Sequence, residues 1–304
     1  MTDSTNVEHV PRFDTISLLT DYGTVDEFAG VVRAVIRDIA PHVMVIDLTH
    51  EIPPFDVRAG SLALARCITY VPSGVVMAVV DPGVATDRRA VAIEVAGGSG
   101  IVLGPDNGLL APAVAMAGGA ERAVELTNPE YRLPTPGATF AGRDIFAPAA
   151  AHICNGVELD ELGPEVDLMS LMPATVPLPR DVGDAIVAEV LWVDRFGNCQ
   201  LNVGPEDLPA SWTGDVQLRV SSPTDPTGGV VRRAIRAESF AAIGPGQAGL
   251  VLDSYGMLAV CLYRRSAAEE LGLTAGDQVQ LASLGGGSQP GVTEVSLGRR
   301  SDGR

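Results

Sequence analysis

The alternation of short β-branched runs with helix-like stretches between residues 16 and 160 constrains the fold more than any other feature of this sequence. This alternation is typical of a largely parallel sheet whose crossover helices cover its faces. Five strands are predicted there, at Ile16–Thr20, Val43–Leu48, Val75–Val80, Ala90–Val95 and Ile101–Gly104. Helices are predicted over about 26–40 and 56–71. We therefore expect an α/β domain over residues 1–170.

The second half of the chain has a different pattern. From residue 184 onward, short apolar runs alternate with Gly, Pro, Asp and Ser turns. This spacing predicts a smaller antiparallel β domain, a barrel or a sandwich, over 184–284. The proline-rich residues 171–183 are interpreted as a linker, and the Gly/Ser-rich residues 285–304 as a flexible tail.

Composition excludes several kinds of chemistry. All 21 basic residues of the 304 are arginine, so the chain has no lysine. It therefore contains no Walker-loop lysine, no pyridoxal Schiff base and no lysine nucleophile. The formal net charge of −17 argues against nucleic acids and anionic membranes as partners, because neither offers counter-charge to carboxylates.

The compartment is predicted from the start of the chain and from the cysteines. The first residues are polar and lack the apolar core of a signal peptide, and no apolar run approaches the ~20 residues of a membrane span. The four cysteines form no CxxC pair, which favours buried free thiols over a zinc site or disulfides. We expect a cytoplasmic protein.

Polar turns follow strands in both halves of the chain. They are Asp21–Gly23, Val80–Gly83, Gly104–Gly108 and Val193–Asn198. Each turn alone fits an ordinary Asx or Pro-Gly turn. Together they place carboxylates and amides where a polar, hydroxyl-bearing ligand would bind. For His50, which follows the second predicted strand, a structural role is favoured over a catalytic one.

Seven motifs, in order along the chain, resemble a known family. They are TDYGTVDEFAG, DLTHEIPPFDVRAG, VDPGVATDRRAV, LGPDNGLL, TFAGRDIFAPAAAH, DRFGNCQLNV and DSYGMLAV. They are similar to motifs of the S-adenosyl-L-methionine hydroxide adenosyltransferases, which are relatives of fluorinase and chlorinase. The resemblance extends from about residue 14 to residue 282. The resemblance implies an α/β domain, a C-terminal β-barrel, and a homotrimer. Each site would lie where the N-terminal domain of one subunit meets the C-terminal domain of the next.

The resemblance also implies a reaction. Water or hydroxide attacks the ribose 5′ carbon of S-adenosyl-L-methionine, and methionine leaves as a neutral thioether, which gives adenosine and L-methionine. We expect no metal and no organic cofactor, because the sulfonium substrate is already activated. The protein has only to position and deprotonate the water.

The resemblance places Asp81 and Arg88 at this water. Arg88 has no accessible neutral form, so we expect it to orient the water and to keep Asp81 ionised. The alternative is a surface ion pair on a turn. Fluorinase-like members carry neither residue, which disfavours synthesis of a 5′-halo-5′-deoxyadenosine.

The third catalytic group of the family is missing, because Ala141 stands where relatives read TFHGRD. A methyl group neither accepts a proton nor hydrogen-bonds a water, so we expect intact binding with slow turnover. The alternative is a binding protein for S-adenosylmethionine or adenosine that has lost catalysis.

Substrate-binding residues are likewise implied by the resemblance. Asp21 would hold the ribose hydroxyls, and Phe55 would stack on the nucleoside or else belong to the core. Asn107 would shape a loop at the reacting centre or only a structural turn.

In the C-terminal domain, the resemblance places Phe196 and Asn198 at adenine. Asp194 and Ser254 match residues that hold the methionine ammonium group. Tyr255 stands where fluorinase has an arginine at the methionine carboxylate, which leaves that contact open.

Overall fold

The computed structural model describes residues 10–222 and 225–284, without the side chains of 221–228. The chain divides into two compact units between Val176 and Pro177. The predicted tail at 285–304 lies outside the described residues.

The first unit is built on a six-stranded sheet in the order β2–β1–β3–β5–β4–β6. Its strands are β1 (Thr15–Thr20), β2 (Met44–Thr49), β3 (Gly74–Val79), β4 (Ala90–Val95), β5 (Gly100–Pro105) and β6 (Ala120–Glu125). The strands β2, β1, β3 and β5 pair in parallel, whereas β4 pairs antiparallel with both of its neighbours, β5 and β6. β1 and β3 are buried throughout, as expected for strands covered on both faces. The predicted largely parallel sheet is confirmed, and β1 to β5 match the predicted strands to within one residue at each end.

Helices cover both faces of this sheet. They are α1 (Phe28–Ile39), α2 (Val57–Ile68), α3 (Ala111–Met116), α4 (Ala147–Cys154) and α5 (Leu159–Leu162). α1 packs against α4, and α2 packs against α3. Successive residues of a strand point to opposite faces of the sheet. In β3, Met77 therefore packs in the core on one face, and Val76 and Ala78 pack in the core on the other.

A π-helical turn over Gly142–Phe146 precedes α4. The Ala147 N–H bonds to the carbonyl of Gly142, five residues back. Turns of this kind are rare and recur at functional sites. A Cβ atom at position 142 would overlap the hydroxyl of Tyr22, so the turn requires a glycine there.

The second unit is a closed barrel. Its strands are β7 (Arg180–Asp181), β8 (Ala185–Val193), β9 (Cys199–Leu201), β10 (Val216–Ser222), β11 (Asp225–Ala237), β12 (Ala248–Leu252), β13 (Leu258–Leu262) and β14 (Gln278–Ser283), and α6 (Ala267–Leu271) precedes β14. Seven strands, β8 to β14, close the ring through the pairing of β14 with β8. The short strand β7 pairs antiparallel with β8. The predicted barrel is confirmed, with one difference: β11 and β12 pair in parallel, so the barrel is mixed. The connection over 238–247 is long enough to return the chain to the starting end of β11, which a tight hairpin turn does not do.

The cysteines are free thiols, as predicted, although Cys67 is only half-buried. Burial raises the pKa of Cys154, Cys199 and Cys261 to about 12, so these thiols stay protonated and unreactive. Within residues 10–222 and 225–284, none of the helices has the length and apolar character that crossing a membrane requires.

Candidate active site

Two aspartates meet at the carboxyl edge of the parallel sheet. Asp21 directly follows β1, Asp81 follows β3, and these two strands are neighbours. The backbone N–H of Asp21 donates to the carbonyl of Val79, 3.4 Å away. Ligands of α/β proteins bind at this edge, so the sheet places two of the predicted site residues together.

Asp81 and Arg88 form a buried ion pair. Arg88 Nη2 donates to Asp81 Oδ2, and the two side chains are 11% and 6% exposed, respectively. Arg88 Nη1 also donates to the carbonyl of Arg89 at 2.9 Å, and the guanidinium carbon lies 5.7 Å from the ring centre of Phe146. This burial excludes the alternative of a surface pair.

The buried pair has unused hydrogen-bonding capacity. Among the described residues, neither Asp81 Oδ1 nor Arg88 Nε has a hydrogen-bond partner. A buried polar atom without a partner costs about 1–3 kcal/mol, so such atoms indicate a place for a water or a ligand. Burial raises the pKa of Asp81 above its ordinary value, and the Arg88 charge only partly opposes this. Asp81 is therefore a stronger base than an exposed aspartate.

Asp21 fixes the backbone of Phe55. Asp21 Oδ2 accepts from the Phe55 N–H at 2.9 Å, and Phe55 has a φ of 69°, in the left-handed region. Such strain in a non-glycine residue persists where its surroundings impose it, often at ligand sites. The Phe55 side chain is 71% exposed, which excludes the alternative of a core residue.

The sequence reasoning missed Tyr22, the middle residue of the Asp21–Gly23 turn. Its ring centre lies 5.8 Å from that of Phe28 and 5.6 Å from that of Phe140. Its hydroxyl lies against the backbone of Gly142. Burial raises the pKa of Tyr22 above its ordinary value, and the charges of Asp21 and Asp81 add to this effect. The only signal in the sequence was its place between two predicted site features.

His50 is a buried residue that contacts the Asp21–Gly23 turn and the end of β1. It is 5% exposed, its Nδ1 lies 2.8 Å from Thr20 Oγ1, and its carbonyl accepts from the Gly23 N–H at 2.7 Å. His50 Nε2 lies 3.1 Å from Asp47 Oδ1, which is an ion-pair distance, although the angle is not that of a hydrogen bond. These contacts fit the structural role favoured above for His50.

Both ends of the Asn107 side-chain amide form hydrogen bonds with nearby backbone groups. Its Nδ2 donates to the carbonyl of Val80 at 2.9 Å, and its Oδ1 accepts from the Leu109 N–H at 3.1 Å. Asn107 thus holds the backbone directly before Asp81.

Ala141 lies beside Gly142 and is 7% exposed. It faces a cavity of about 360 Å³ whose other walls include Arg132, Ala138 and Asp144. Asp81 and Arg88 do not line this cavity. The cavity has room for a side chain larger than a methyl group at position 141.

Three of the predicted site residues of the barrel lie on the Val193–Asn198 turn. The Asp194 carboxylate accepts from the Phe196 N–H at 2.8 Å, and from the backbone and side chain of Asn198 at 2.9 and 2.8 Å. The Phe196 ring is 77% exposed. This residue and Asn198 line a cavity of about 370 Å³, together with Phe240, Leu262, Arg264, Arg265 and Ser266, which sequence reasoning did not single out.

Ser254 and Tyr255 lie on another turn of the barrel and do not line that cavity. Asp253 Oδ1 accepts from the Tyr255 N–H at 2.8 Å and from the Met257 N–H at 3.0 Å. The Tyr255 ring lies 6.4 Å from that of Trp192, and Ser254 is exposed.

The described residues include no group of three or more His, Cys, Asp or Glu side chains placed to hold a metal ion.

The fold and site define a class of protein with an α/β unit, a β-barrel unit, and a buried Asp–Arg pair at the sheet edge. Residues 16–163 match the model of the SAM hydroxide adenosyltransferase N-terminal domain, and residues 188–280 match that of the C-terminal domain. The chain belongs to the SAM hydroxide adenosyltransferase family.

Relatives match over most of their length. The (R)-S-adenosyl-L-methionine hydrolase of Salinispora tropica is 43% identical over 88% of this chain and 97% of the relative. That of Thermus thermophilus is 41% identical over 88% and 98%. A fluorinase of Nocardia brasiliensis is 28% identical over 89% and 97%. A crystal structure of a conserved protein from Thermotoga maritima has a TM-score of 0.78 and 32% identity, over 88% of this chain and 99% of that one.

Proposed function

We propose that this chain hydrolyses S-adenosyl-L-methionine to adenosine and L-methionine. The observation that carries the proposal is the buried Asp81–Arg88 pair with Asp81 Oδ1 unpartnered. The relatives named S-adenosyl-L-methionine hydrolases, at 41–43% identity, support the same substrate.

In this reaction a water donates one O–H to Asp81 Oδ1 while its oxygen bonds to the ribose 5′ carbon. The bond from that carbon to sulfur breaks, and its electron pair stays on sulfur as the neutral thioether of methionine. The water proton passes to Asp81 and then to solvent. The raised pKa of Asp81 favours this transfer, and Arg88 holds the carboxylate in place.

A dry site also lowers the barrier. The proton of the water neutralises the Asp81 carboxylate while the sulfonium loses its positive charge, so charge disappears in the transition state. A low dielectric favours that loss, and the side chains of Asp81 and Arg88 are about nine-tenths buried.

Substrate binding is divided between the two units in this proposal. In the α/β unit, Asp21 accepts from the ribose hydroxyls and Phe55 stacks on the nucleoside, supported by the hydrogen bond between them and the exposed ring. In the barrel, Phe196 and Asn198 hold adenine, supported by their shared cavity.

The methionine moiety is assigned to exposed positions of the barrel. We propose that Asp194 and Ser254 hold the ammonium group and that Tyr255 stands near the carboxylate. The Asp194 carboxylate, fixed by three hydrogen bonds within its turn, supports this assignment because it is held in place before the substrate arrives.

We further propose a cytoplasmic homotrimer that needs no cofactor. The exposed rings of Phe55 and Phe196 support completion of each site by a second subunit, because an aromatic ring that binds a nucleoside is normally covered. The free cysteines support a reducing compartment. The sulfonium substrate supplies its own leaving group, which removes the need for a cofactor.

Ala141 favours a second candidate, a binding protein with impaired turnover. One experiment separates the candidates: the protein is incubated with S-adenosyl-L-methionine, and adenosine is followed by liquid chromatography, with binding measured by calorimetry. Adenosine release supports the hydrolase, and tight binding without product supports the binding protein. Parallel reactions with chloride or fluoride test for a 5′-halo product.

A further inference from the structure

The proposed reaction needs more contacts to the attacking water than its assigned residues provide. A buried water typically makes about three hydrogen bonds. Asp81 Oδ1 and Arg88 Nε are buried without partners in the described part of the chain, and they offer two. The Ala141 side chain, at the position of the family histidine, offers none, which leaves a place for a further polar group.

Tyr22 places its hydroxyl next to that position. Its ring is held between Phe28 and Phe140, which themselves lie 5.1 Å apart, so the hydroxyl points in one direction. That direction is toward Gly142, directly after Ala141, where even a Cβ atom would overlap the hydroxyl.

The π-helical turn connects Tyr22 to the ion pair. Gly142 begins this turn, and the Tyr22 hydroxyl lies against its backbone. Phe146 ends the turn, and its ring lies under the Arg88 guanidinium. Asp21, which precedes Tyr22, and Asp81 follow the neighbouring strands β1 and β3, and the charges of Asp81 and Arg88 both act on the Tyr22 hydroxyl.

The hydrogen-bonding inventory of the hydroxyl fits a water ligand. A tyrosine hydroxyl has one donor and two acceptor sites. The backbone of Gly142 lies on one side of it, which leaves an acceptor site for a water O–H. The raised pKa keeps Tyr22 protonated, so it orients the water and does not deprotonate it.

We propose that Tyr22 is a catalytic residue whose hydroxyl holds the attacking water in the place of the missing histidine. The water donates one O–H to Asp81 Oδ1 and the other to the Tyr22 oxygen, and a lone pair faces the ribose carbon. Tyr22 keeps its own proton throughout. This inference rests on the proposed hydrolase function.

A double-mutant cycle tests the proposal through turnover. Tyr22→Phe removes only the hydroxyl, and we expect kcat to fall at least tenfold with KM within about twofold, because the hydroxyl contacts the water and not the substrate. In the Ala141→His background the loss should shrink to less than about threefold, since the imidazole provides the contact. Tyr70→Phe, at a tyrosine that is 74% exposed, is the matched control and should change nothing. An unchanged kcat, or an equal loss in both backgrounds, would overturn the assignment.

A crystal structure tests the water without relying on turnover. We expect the unliganded wild-type protein to hold a water within about 3.2 Å of both Tyr22 Oη and Asp81 Oδ1, and Tyr22→Phe to lack it. Absence of that water from well-ordered wild-type density would overturn the inference. If the water is present but no adenosine forms, the proposed hydrolase function fails while the water site stands.

Discussion

Both units place an aspartate in a turn that follows a strand, but the surroundings of these aspartates differ. In the α/β unit, Asp81 is 6% exposed, paired with Arg88, and retains an unpartnered oxygen. In the barrel, Asp194 and Asp253 accept hydrogen bonds from the backbone of their own turns. The first arrangement leaves a buried acceptor without a partner, and the second fixes the shape of a turn.

The energetic consequences differ as well. Burial of an ion pair with an unsatisfied polar atom lowers the stability of the fold. The same burial shifts the pKa values on which the reactivity of the pair depends. A turn aspartate satisfied by neighbouring N–H groups stabilises local structure and contributes little reactivity. We therefore expect substitutions in the α/β unit to change kcat and substitutions in the barrel to change KM.

The largest expected effect is at Asp81. Asp81→Asn removes the base while keeping the size of the side chain, so kcat for adenosine release should fall about 10²- to 10⁴-fold. Calorimetric binding of S-adenosyl-L-methionine should persist. The matched control is Asp87→Asn, an exposed aspartate on the same loop, which should leave kcat unchanged. Full activity of Asp81→Asn would remove Asp81 from the mechanism.

The second effect is a gain at Ala141. Ala141→His should raise kcat at least tenfold, because an imidazole at this position, where the family resemblance places a histidine, adds a hydrogen-bonding group for the attacking water. Ala138→His introduces the same ring at an exposed position that lines the cavity beside Ala141, and it should produce no gain. An unchanged rate for Ala141→His would exclude this position from the chemistry.

A smaller effect is expected in the barrel. Phe196→Ala removes a ring that is 77% exposed, so the thermal unfolding temperature should stay nearly constant. KM should rise about 2- to 10-fold through lost stacking, with kcat little changed. Leu252→Ala, at an exposed apolar side chain outside the cavity, serves as the control. A fall in kcat with constant KM would contradict the division of roles between the units.

The smallest effect is a displaced pH profile. Asp81 accepts a proton only when ionised, and burial raises its pKa above the ordinary 3.8. As the pH falls, kcat/KM should therefore decline through an apparent pKa above 3.8, and it should recover as the pH rises. The measurement is initial rates across buffers in which circular dichroism shows the protein folded. A decline at 3.8 or below would mean that Asp81 is not the titrating base.

Several features of the fold and site were predictable because their signals are local. The β-branched runs predict β1 to β5, since residues that fill a covered strand are apolar along its length. The turns with Asp21 and Asp81 are visible because each directly follows such a run. The barrel could be predicted from the spacing of its short strands alone. Its parallel β11–β12 pair could not, because that pairing depends on the path of the segment that connects the two strands.

The sequence pointed to Asp81, Arg88 and Phe55 but not to Tyr22, and it did not show the environment of any of them. Asp81 and Arg88 are close in sequence, yet nothing local distinguishes a surface pair from one whose side chains are about nine-tenths buried. Phe55 is an ordinary apolar residue in the sequence, and only the structure shows its positive φ and its exposed ring.

The sequence by itself determined the two-unit organisation, the strand order along the chain and the presence of aspartates at strand ends, because these depend on neighbouring residues. The tertiary structure decided which polar atoms are buried without partners, and that the Tyr22 hydroxyl lies against Gly142. Burial and hydrogen-bond satisfaction depend on segments far apart in the chain. For that reason the chemistry proposed for Asp81 and Tyr22 follows from the packing around the π-helical turn and not from any single motif.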